Sequence, residues 1–460
     1  MKTNKRIFLH TFIVLSIMCC LLVIVTFIMQ DSIELNSKNF YSGSNELVNS
    51  DTTNKVSPST NTIYNATVNL SAAASSGISN SGTNPSSSSK ELTSADDATK
   101  QPQKVSPPQE EVAIAPSITI SAVGDIMAHQ ANLNNAYNPK TKAYDFNGFL
   151  EYVSPYLTKS DLTIGNFETV TAGPSSGYTS FPRFNTPDAI LTALSNAGFD
   201  VLSTSNNHCL DRGINGLTRT IKMITENKMI NVGSSIDGKN KYITKEINGI
   251  KVSILSYSYA FNGNEARLNT KQKSTYLSAI NETQIKKDIG TVKAQGTDAV
   301  MVIIHWGTEY QRTPNTSQTS LSKKMLTWGA DIILGSHPHV IQKSEIVKVN
   351  GKNKFVIYSM GNFISGYRRA DKAKRANKIY TEDGVIVQLK LEKDPKGGVI
   401  ISNAEYVPTW VNKSYVNNRP VFKIIPIPDT DINEPYITNR NKAFVKQSYK
   451  NTMSIMAKLK

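Results

Sequence analysis

Cysteine is nearly missing from this chain: there are three in 460 residues, and Cys19 and Cys20 sit side by side in an apolar run. Those two cannot staple an external domain, and Cys209 has no obvious partner, so a disulfide scaffold is excluded. Aromatic residues make up 8% and apolar residues 39% of the chain, and the shortfall is local. Ser, Thr and Asn crowd the first quarter, which cannot bury a core, whereas the sequence after about Ile118 can. Acidic residues are also scarce relative to basic ones, 36 against 51, which gives a formal net charge of +15. Such a surplus favours anionic partners such as acidic lipid, wall polymers or polyanionic substrates. No zinc finger or other nucleic-acid signature accompanies the charge, so DNA and RNA are set aside. The basic residues are scattered, apart from the 368–378 stretch (Arg368, Arg369, Lys372, Lys374, Arg375, Lys378) and the C-terminal tail.

One long hydrophobic run is present. Residues Ile7 to Met29 are predominantly apolar, long enough for a helix to cross a bilayer, for which about 20 residues suffice. Lys2, Lys5 and Arg6 precede it, and Asp31 and Glu34 follow. The positive-inside rule then keeps the N-terminus in the cytoplasm and places everything after Gln30 outside the cell membrane. A cleaved signal peptide would have a shorter apolar core and a small-residue cleavage site. A lipoprotein cysteine at position 19 or 20 would follow a better approach than Ile17-Met18. An uncleaved signal anchor over residues 1–30 is therefore expected. Residues 31–116, rich in Ser, Thr and Asn, are expected to be a flexible linker.

Past the linker, strand and helix patterns alternate. Ile118 to Val123 reads as a strand that stops at Gly124-Asp125, and a helix follows Pro187 with Ile190, Ala193, Leu194 and Ala197 on one face. Phe199 to Ser203 is a short apolar strand, Leu217, Ile221 and Ile224 mark a helix, and Val252 to Tyr257 is again a strand. Glu282 to Ala294 reads as a helix, Ala299 to Ile304 as a buried strand, and Leu321, Met325 and Trp328 as one helical face before strand Ile332-Leu334. Consecutive strands then follow to about Val407. This order predicts an α/β sandwich with mixed sheets.

Residues able to ligate a metal recur just past the C-terminal ends of these strands. They are Asp125, Asn166 with Glu168, Asn207 with His208, His305, and His337 with His339. In open α/β sheets this edge is where ligands converge. Five of the six histidines (His129, His208, His305, His337, His339) fall in these segments. Each has an alternative reading: Asp125 as a turn cap, Asn166 and Glu168 as loop hydrogen-bonders, His305 as a packed core residue. Proline between His337 and His339 instead favours aiming two imidazoles at one place. Mixed imidazole, carboxylate and amide oxygen donors suit Mn, Zn or Fe, as one or two divalent ions. A histidine outside the ligand set would protonate a leaving oxygen, and His208 is the candidate. Asp211 is placed to orient His208 or the turn at Gly213. Arg183 and Arg212 are candidate contacts to a polyanion, while Trp306, Tyr310 and Cys209 read as packing residues.

The segments Ala122-Val-Gly-Asp-Ile-Met127, Gly165-Asn-Phe-Glu168, Ser205-Asn-Asn-His-Cys-Leu-Asp-Arg-Gly213, His305-Trp-Gly-Thr-Glu-Tyr310, Gly335-Ser-His-Pro-His-Val-Ile-Gln342 and Tyr358-Ser-Met-Gly-Asn-Phe363 resemble the CapA (PgsA-type) poly-γ-glutamate capsule biosynthesis family. That family is similar in turn to calcineurin-like metallophosphoesterases. The resemblance spans residues 117–428, leaving 429–460 as a basic tail, and implies a metallophosphatase-like four-layer αββα sandwich. It also implies an outward-facing component of poly-γ-glutamate synthesis or export beside a membrane-embedded synthase complex. The alternative it leaves is an extracytoplasmic phosphoesterase acting on a phosphate ester or wall polymer. It further implies roles: Asp125 and His339 on a first metal, Glu168 as the bridge, Asn207, His305 and His337 on a second, and His208 as the acid. Apart from the resemblance, Asn166, Arg183 and Arg212 are candidate substrate contacts, with ordinary surface roles the alternative for the two arginines. Two departures are visible, one being that Asn166-Phe-Glu168 differs from the usual Gly-Asp-x-x-Asp form. Met127 stands where phosphoesterases of this kind carry a histidine two residues after the first aspartate, with His129 two residues further on.

Overall fold

A computed structural model describes residues 115–239, 241–369, 376–429 and 434–459. The expected anchor (1–30) and nearly all of the expected linker (31–116) lie outside the described residues. Among those described, no helix is long and apolar enough to cross a membrane.

The chain begins with β1 (Ser117–Ile126), α1 (Gln130–Ala136), a small hairpin of β2 (Tyr137–Asn138) and β3 (Ala143–Tyr144), and the short helices α2 (Asn147–Leu150) and α3 (Ser154–Leu157). It continues through β4 (Leu162–Phe167), α4 (Ala189–Asn196), β5 (Val201–Ser203), α5 (Gly213–Glu226) and β6 (Ile230–Val232). Next come β7 (Ile243–Ile247), β8 (Ile250–Ser258), α6 (Thr270–Tyr276), α7 (Glu282–Ala294), β9 (Ala299–His305), α8 (Thr316–Trp328) and β10 (Ile332–Ser336). Strands then dominate: β11 (Ile341–Val349), β12 (Lys352–Met360), β13 (Asn362–Ile364), β14 (Asp383–Lys393), β15 (Val399–Val416) and β16 (Arg419–Pro426), before a last helix, α9 (Lys442–Met453).

Two mixed sheets result. One runs β16-β15-β14-β1-β4-β5-β6, with β13 also paired to β1, and the other runs β11-β12-β10-β9-β8-β7. Alternate residues of β1 and β4 (Ile118, Ile120, Ala122, Leu162, Ile164) meet alternate residues of β8, β9 and β10 (Val252, Ile254, Met301, Ile303, Leu334) in one apolar layer between the sheets. The opposite side chains of the first sheet, such as Val123, Phe167 and Leu202, pack on α1, α2, α4 and α5. Those of the second, such as Val300, Val302 and Ile333, pack on α7 and α8. The order across the described domain is therefore helices, sheet, sheet, helices. Strands buried on both faces read as unbroken apolar runs, which is why Ala299–Ile304 and Ile332–Leu334 carry no alternation.

The edge of the domain differs from the sequence expectation. Residues 442–453 are helical, and Val445 packs on Trp410, Ile425 and Ile427. Met456 reaches the apolar layer between the sheets, and Ser448 Oγ and Asn451 Nδ2 donate to the buried Asp383 carboxylate at 2.7 and 2.8 Å. The expected basic tail at 429–460 thus includes a docked helix. Its lysines occupy the outer face and hid the few apolar residues that anchor it.

Both sheets bring parallel strand ends to one edge. β1 pairs in parallel with β4, and β4 with β5. In the other sheet β8, β9 and β10 are parallel neighbours, with Ser336 opposite His305. The pairing of β1 with β4 slips between Val123 and Asp125. There the Asp125 amide donates to the Gly361 carbonyl at 2.9 Å. Only glycine fits at 124, because an added Cβ would lie 1.9 Å from that carbonyl oxygen.

Candidate metal centre

Asp125 ends β1, Asn166 and Glu168 lie at the end of β4, Asn206, Asn207 and His208 follow β5, His305 ends β9, and His337 and His339 follow β10. All are buried. Two groups of donors lie close enough to hold an ion: Glu168, His305 and His337, and Asp125, Glu168 and His339, each with one donor atom per residue within 4.8 Å of the others. Glu168 belongs to both. His305 Nε2 is 3.5 Å and His339 Nε2 3.8 Å from Glu168 Oε1.

The backbone after β10 is shaped for this purpose. His337 and His339 both adopt positive φ, 99° and 56°, a region that side chains with a Cβ rarely occupy and that persists where surrounding structure enforces it. The enforcing contacts are visible. The Tyr310 amide donates to the Pro338 carbonyl at 2.7 Å, and Asn362 Nδ2 donates to the His339 carbonyl at 3.2 Å. The two imidazoles therefore diverge, His337 toward His305 (ring centroids 4.8 Å) and His339 toward Asp125, whose Oδ2 lies 3.0 Å from its Nδ1.

Other atoms fix the donors' orientation. Asp125 Oδ1 accepts from Asn166 Nδ2 at 2.8 Å, and the same amide nitrogen is 3.3 Å from His305 Nδ1. Asn166, expected to meet substrate, is buried between these two donors. Asn206 holds it in turn, donating from Nδ2 to Asn166 Oδ1 (3.3 Å) and to the Phe167 carbonyl (2.8 Å). Asn207 Oδ1 stands 3.0 Å from His305 Nε2.

Electrostatics and satisfaction point the same way. Burial first, then the Asp125 charge, pushes the Glu168 carboxyl well above its ordinary range. Burial, reinforced by neighbouring imidazoles, holds His305 and His337 well below theirs. Both are neutral at pH 7, with lone pairs available. Both carboxyl oxygens of Glu168 and Nδ1 of His337 are buried without a hydrogen-bond partner, an arrangement native proteins rarely tolerate. A divalent cation between Asp125, Glu168, His305, His337 and His339, with Asn207 beside them, would satisfy these atoms, so the donor set fits a metal. Such an ion supplies Lewis-acid polarisation of a phosphoryl or carbonyl oxygen.

His208 lies next to Asn207 and pairs with Asp211: Nδ1 and Oδ2 are 2.8 Å apart. Asn262 Nδ2, at 3.4 Å, is the more distant neighbour of that nitrogen. The short contact sets Nδ1–H as donor to Asp211, so Nε2 is the atom left to exchange a proton. Asp211 Oδ2 also accepts from the Phe184 amide at 2.7 Å, and Phe184 lies edge-on to the His208 ring.

The arginines are engaged elsewhere. Arg183 donates through Nε and Nη2 to the Asp211 carbonyl at 3.1 and 2.8 Å. Arg212 donates to Thr179 and to the Arg183 carbonyl. Both stitch the 179–183 segment to the turn after His208. Met127 is buried, and its amide pairs with Ile364. His129 joins neither donor group: its Nδ1 accepts from the Gly366 amide at 3.1 Å, and burial lowers it to about 3.

Sequence reasoning missed Tyr259, Asn206, Asn262, Tyr367 and Asn362. Tyr259 is 47% exposed and lies against His337, ring centroids 4.6 Å apart. It follows β8 as the other residues follow their strands, and that position was the available signal. Tyr310 and Tyr367 flank His339 on the other side, at 6.2 and 5.6 Å between centroids.

The molecule is thus a layered α/β protein with a buried carboxylate–imidazole cluster, compatible with a metal site, at its parallel strand ends. A match to the family described as Bacterial capsule synthesis protein PGA_cap covers residues 119–367, and the chain belongs to that family. It is 33% identical over 287 residues to the capsule biosynthesis protein CapA of Bacillus anthracis, a match spanning 60% of this chain and 64% of that one. It thus spans less than two thirds of that relative. It is 27% identical over 322 residues to the PGA biosynthesis protein CapA of Bacillus subtilis (strain 168), covering 66% and 77%. Among solved structures it is similar to the calcineurin-like phosphoesterase YfkN of Bacillus subtilis. That match has a TM-score of 0.42 and 16% identity, over 74% of this chain and 98% of that one.

Proposed function

We propose that this protein is a membrane-anchored, outward-facing component of poly-γ-glutamate capsule synthesis or export, with a metal-dependent site at the strand-end edge of its folded domain. The observation that carries the metal site is Glu168: a fully buried carboxyl, both oxygens unpartnered, shared by two histidine groups. The polymer reading is supported by family membership and by the names of the two CapA relatives. A net charge of +15 fits a polyanion. The apolar run from Ile7 to Met29, with basic residues before it, supports the anchor and the outward orientation. A membrane-embedded synthase complex is the partner this topology suits.

In this reading Asp125, Glu168, Asn207, His305, His337 and His339 hold one or two Mn, Zn or Fe ions, and substrate oxygen approaches them from the strand-end edge. His208 holds a proton on Nε2 for the leaving group, and Asp211 fixes its tautomer and orientation. The His208–Asp211 pair is also the specific observation favouring the second reading, a phosphoesterase for a phosphate ester or wall polymer. Arg183 and Arg212 then shape the His208 turn and border the substrate.

The test uses the full chain in detergent. Metal content is measured by mass spectrometry, and cleavage is followed on γ-linked glutamate oligomers and on a generic phosphodiester, with His208→Ala and His337→Ala alongside. Bound metal lost in His337→Ala, with turnover lost in both variants, supports the site; which substrate is cleaved separates the two readings. A metal-free wild type that cleaves neither sinks the catalytic part and leaves an assembly role. Protease accessibility on intact cells tests the orientation.

A further inference from the structure

The two described ends of the basic stretch at 368–378 differ in their surroundings. Arg368 and Arg369 pair with the buried Glu382, and Arg369 also reaches Asp383, so their charges serve the interior. Lys378 behaves differently. It is partly buried, and among the described residues its ammonium has no carboxylate or carbonyl partner. Its Nζ instead stands 5.1 Å from the centroid of the Tyr310 ring and 5.7 Å from that of Tyr367. Those rings meet edge to face at 6.0 Å, and their hydroxyls are 3.2 Å apart. Both stand against His339 of the metal centre. Among the described residues, Arg183 and Arg212 are committed to backbone carbonyls, and Arg312 to the Asn451 carbonyl and the Tyr380 ring.

A lysine resting on two phenol faces is held by their quadrupoles while its N–H donors remain available to an anion. Burial of Tyr310, with Tyr367 half-buried beside it, lowers the local dielectric and strengthens any charge-assisted hydrogen bond formed there. We propose that Lys378, seated on Tyr310 and Tyr367, is an anion-binding position beside the metal centre, and that it takes a free α-carboxylate of a γ-linked polyglutamate chain whose neighbouring repeats lie over His339. The inference rests on the polymer reading above. It gives the domain a way to engage a chain at two points and so to prefer polymer over the free amino acid, because joining two weak contacts raises affinity without a new one.

The test measures binding of γ-linked glutamate oligomers of about ten repeats, a length chosen to span two sites. Binding to the full chain is followed by calorimetry, with free glutamate, a neutral γ-linked oligomer whose α-carboxyls are amidated and a polyphosphate of matched charge as comparisons. Lys378→Ala is expected to weaken oligomer binding about tenfold, the scale of one charge-assisted contact. Lys378→Arg should retain most of it, free glutamate should be unaffected, and metal content should stay at the wild-type level as the control for folding. Equal oligomer affinity in wild type and Lys378→Ala overturns the assignment while leaving the polymer reading intact. Polyphosphate bound as tightly, with the same dependence on Lys378, overturns the carboxylate specificity. A metal-loaded wild type that binds no oligomer removes the polymer reading and this inference with it.

Discussion

At the residue scale, Glu168 decides how the site responds to pH and to metal. Its carboxyl is raised above the ordinary 4.5 by burial and by Asp125, so the folded metal-free chain keeps a proton that the unfolded chain releases. Linkage then makes this group's contribution to stability decline as pH rises from 4.5 through the raised folded value. An ion must displace that proton, so metal affinity should rise with pH over the same window. Glu168→Gln removes both effects. We expect metal affinity at least about 100-fold weaker, beyond the usual loss for an outer-shell partner, together with a higher melting temperature than wild type in chelator at pH 8. Metal titration and thermal melts at pH 6 and pH 8 check this, and a variant that melts lower in chelator would contradict the buried-charge account. His305 and His337 act with the opposite sign. Their neutral forms are favoured in the fold, so their contribution is intact above 6.5 and is lost as pH falls below it. His129 follows the same rule down to about 3. His129→Gln should therefore flatten the dependence of the urea midpoint on pH between 6.5 and 4 without changing metal content.

At the scale of elements, the site depends on two places where backbones touch. Gly124 lets β1 approach the Gly361 carbonyl, and Gly335 lets β10 approach the Tyr358 carbonyl, where an added Cβ would lie 2.1 Å from the oxygen. Neither obstacle is a flexible side chain that can move aside. Gly124→Ala or Gly335→Ala should each destabilise the domain by about 3 kcal/mol, the upper end of the range for overpacking, as read by a shift in the urea midpoint. A change under about 0.5 kcal/mol, typical of an ordinary surface substitution, would mean that the strand ends relax freely. These glycines also show which part of the site could be read in the sequence. Asp125, Glu168, His305, His337 and His339 were visible because each directly follows an apolar run, and the end of a parallel strand is a position the sequence marks. Tyr259 and Asn362 were not, since a tyrosine after one strand and an asparagine opening another look alike whether they face solvent or the site. The positive φ of His337 and His339 was equally hidden, because the Asn362 and Tyr310 contacts that enforce it come from remote segments.

At the scale of the whole molecule, alternation of strands and helices located the two sheets, but the C-terminal closure escaped because its helix is amphipathic over too few apolar residues. That helix matters for the interior. Asp383 is buried beside Glu382, with its carboxyl raised by burial and pulled back by Arg369, Asn451 and Ser448. Two of those three partners come from α9. The helix also accepts from Arg312 through the Asn451 carbonyl at 2.7 Å, and Arg312 follows closely on Tyr310, whose amide holds Pro338 between the two histidines. Ending the protein at residue 428 would strip Asp383 of both α9 donors, uncover Trp410, Ile425 and Ile427, and remove Met456 from the layer between the sheets. The loss should reach at least about 3 kcal/mol, since a buried carboxylate loses donors and apolar contacts vanish together. A chain truncated there should be insoluble or melt well below the full chain. Asn451→Ala with Ser448→Ala should destabilise less but selectively, with the decline in stability from pH 5 to pH 8 becoming steeper as Asp383 rises further. A truncated chain that melts with the full protein and binds metal equally would show that residues 429–460 are an appendage after all, and that the donors around Asp383 contribute nothing to the site.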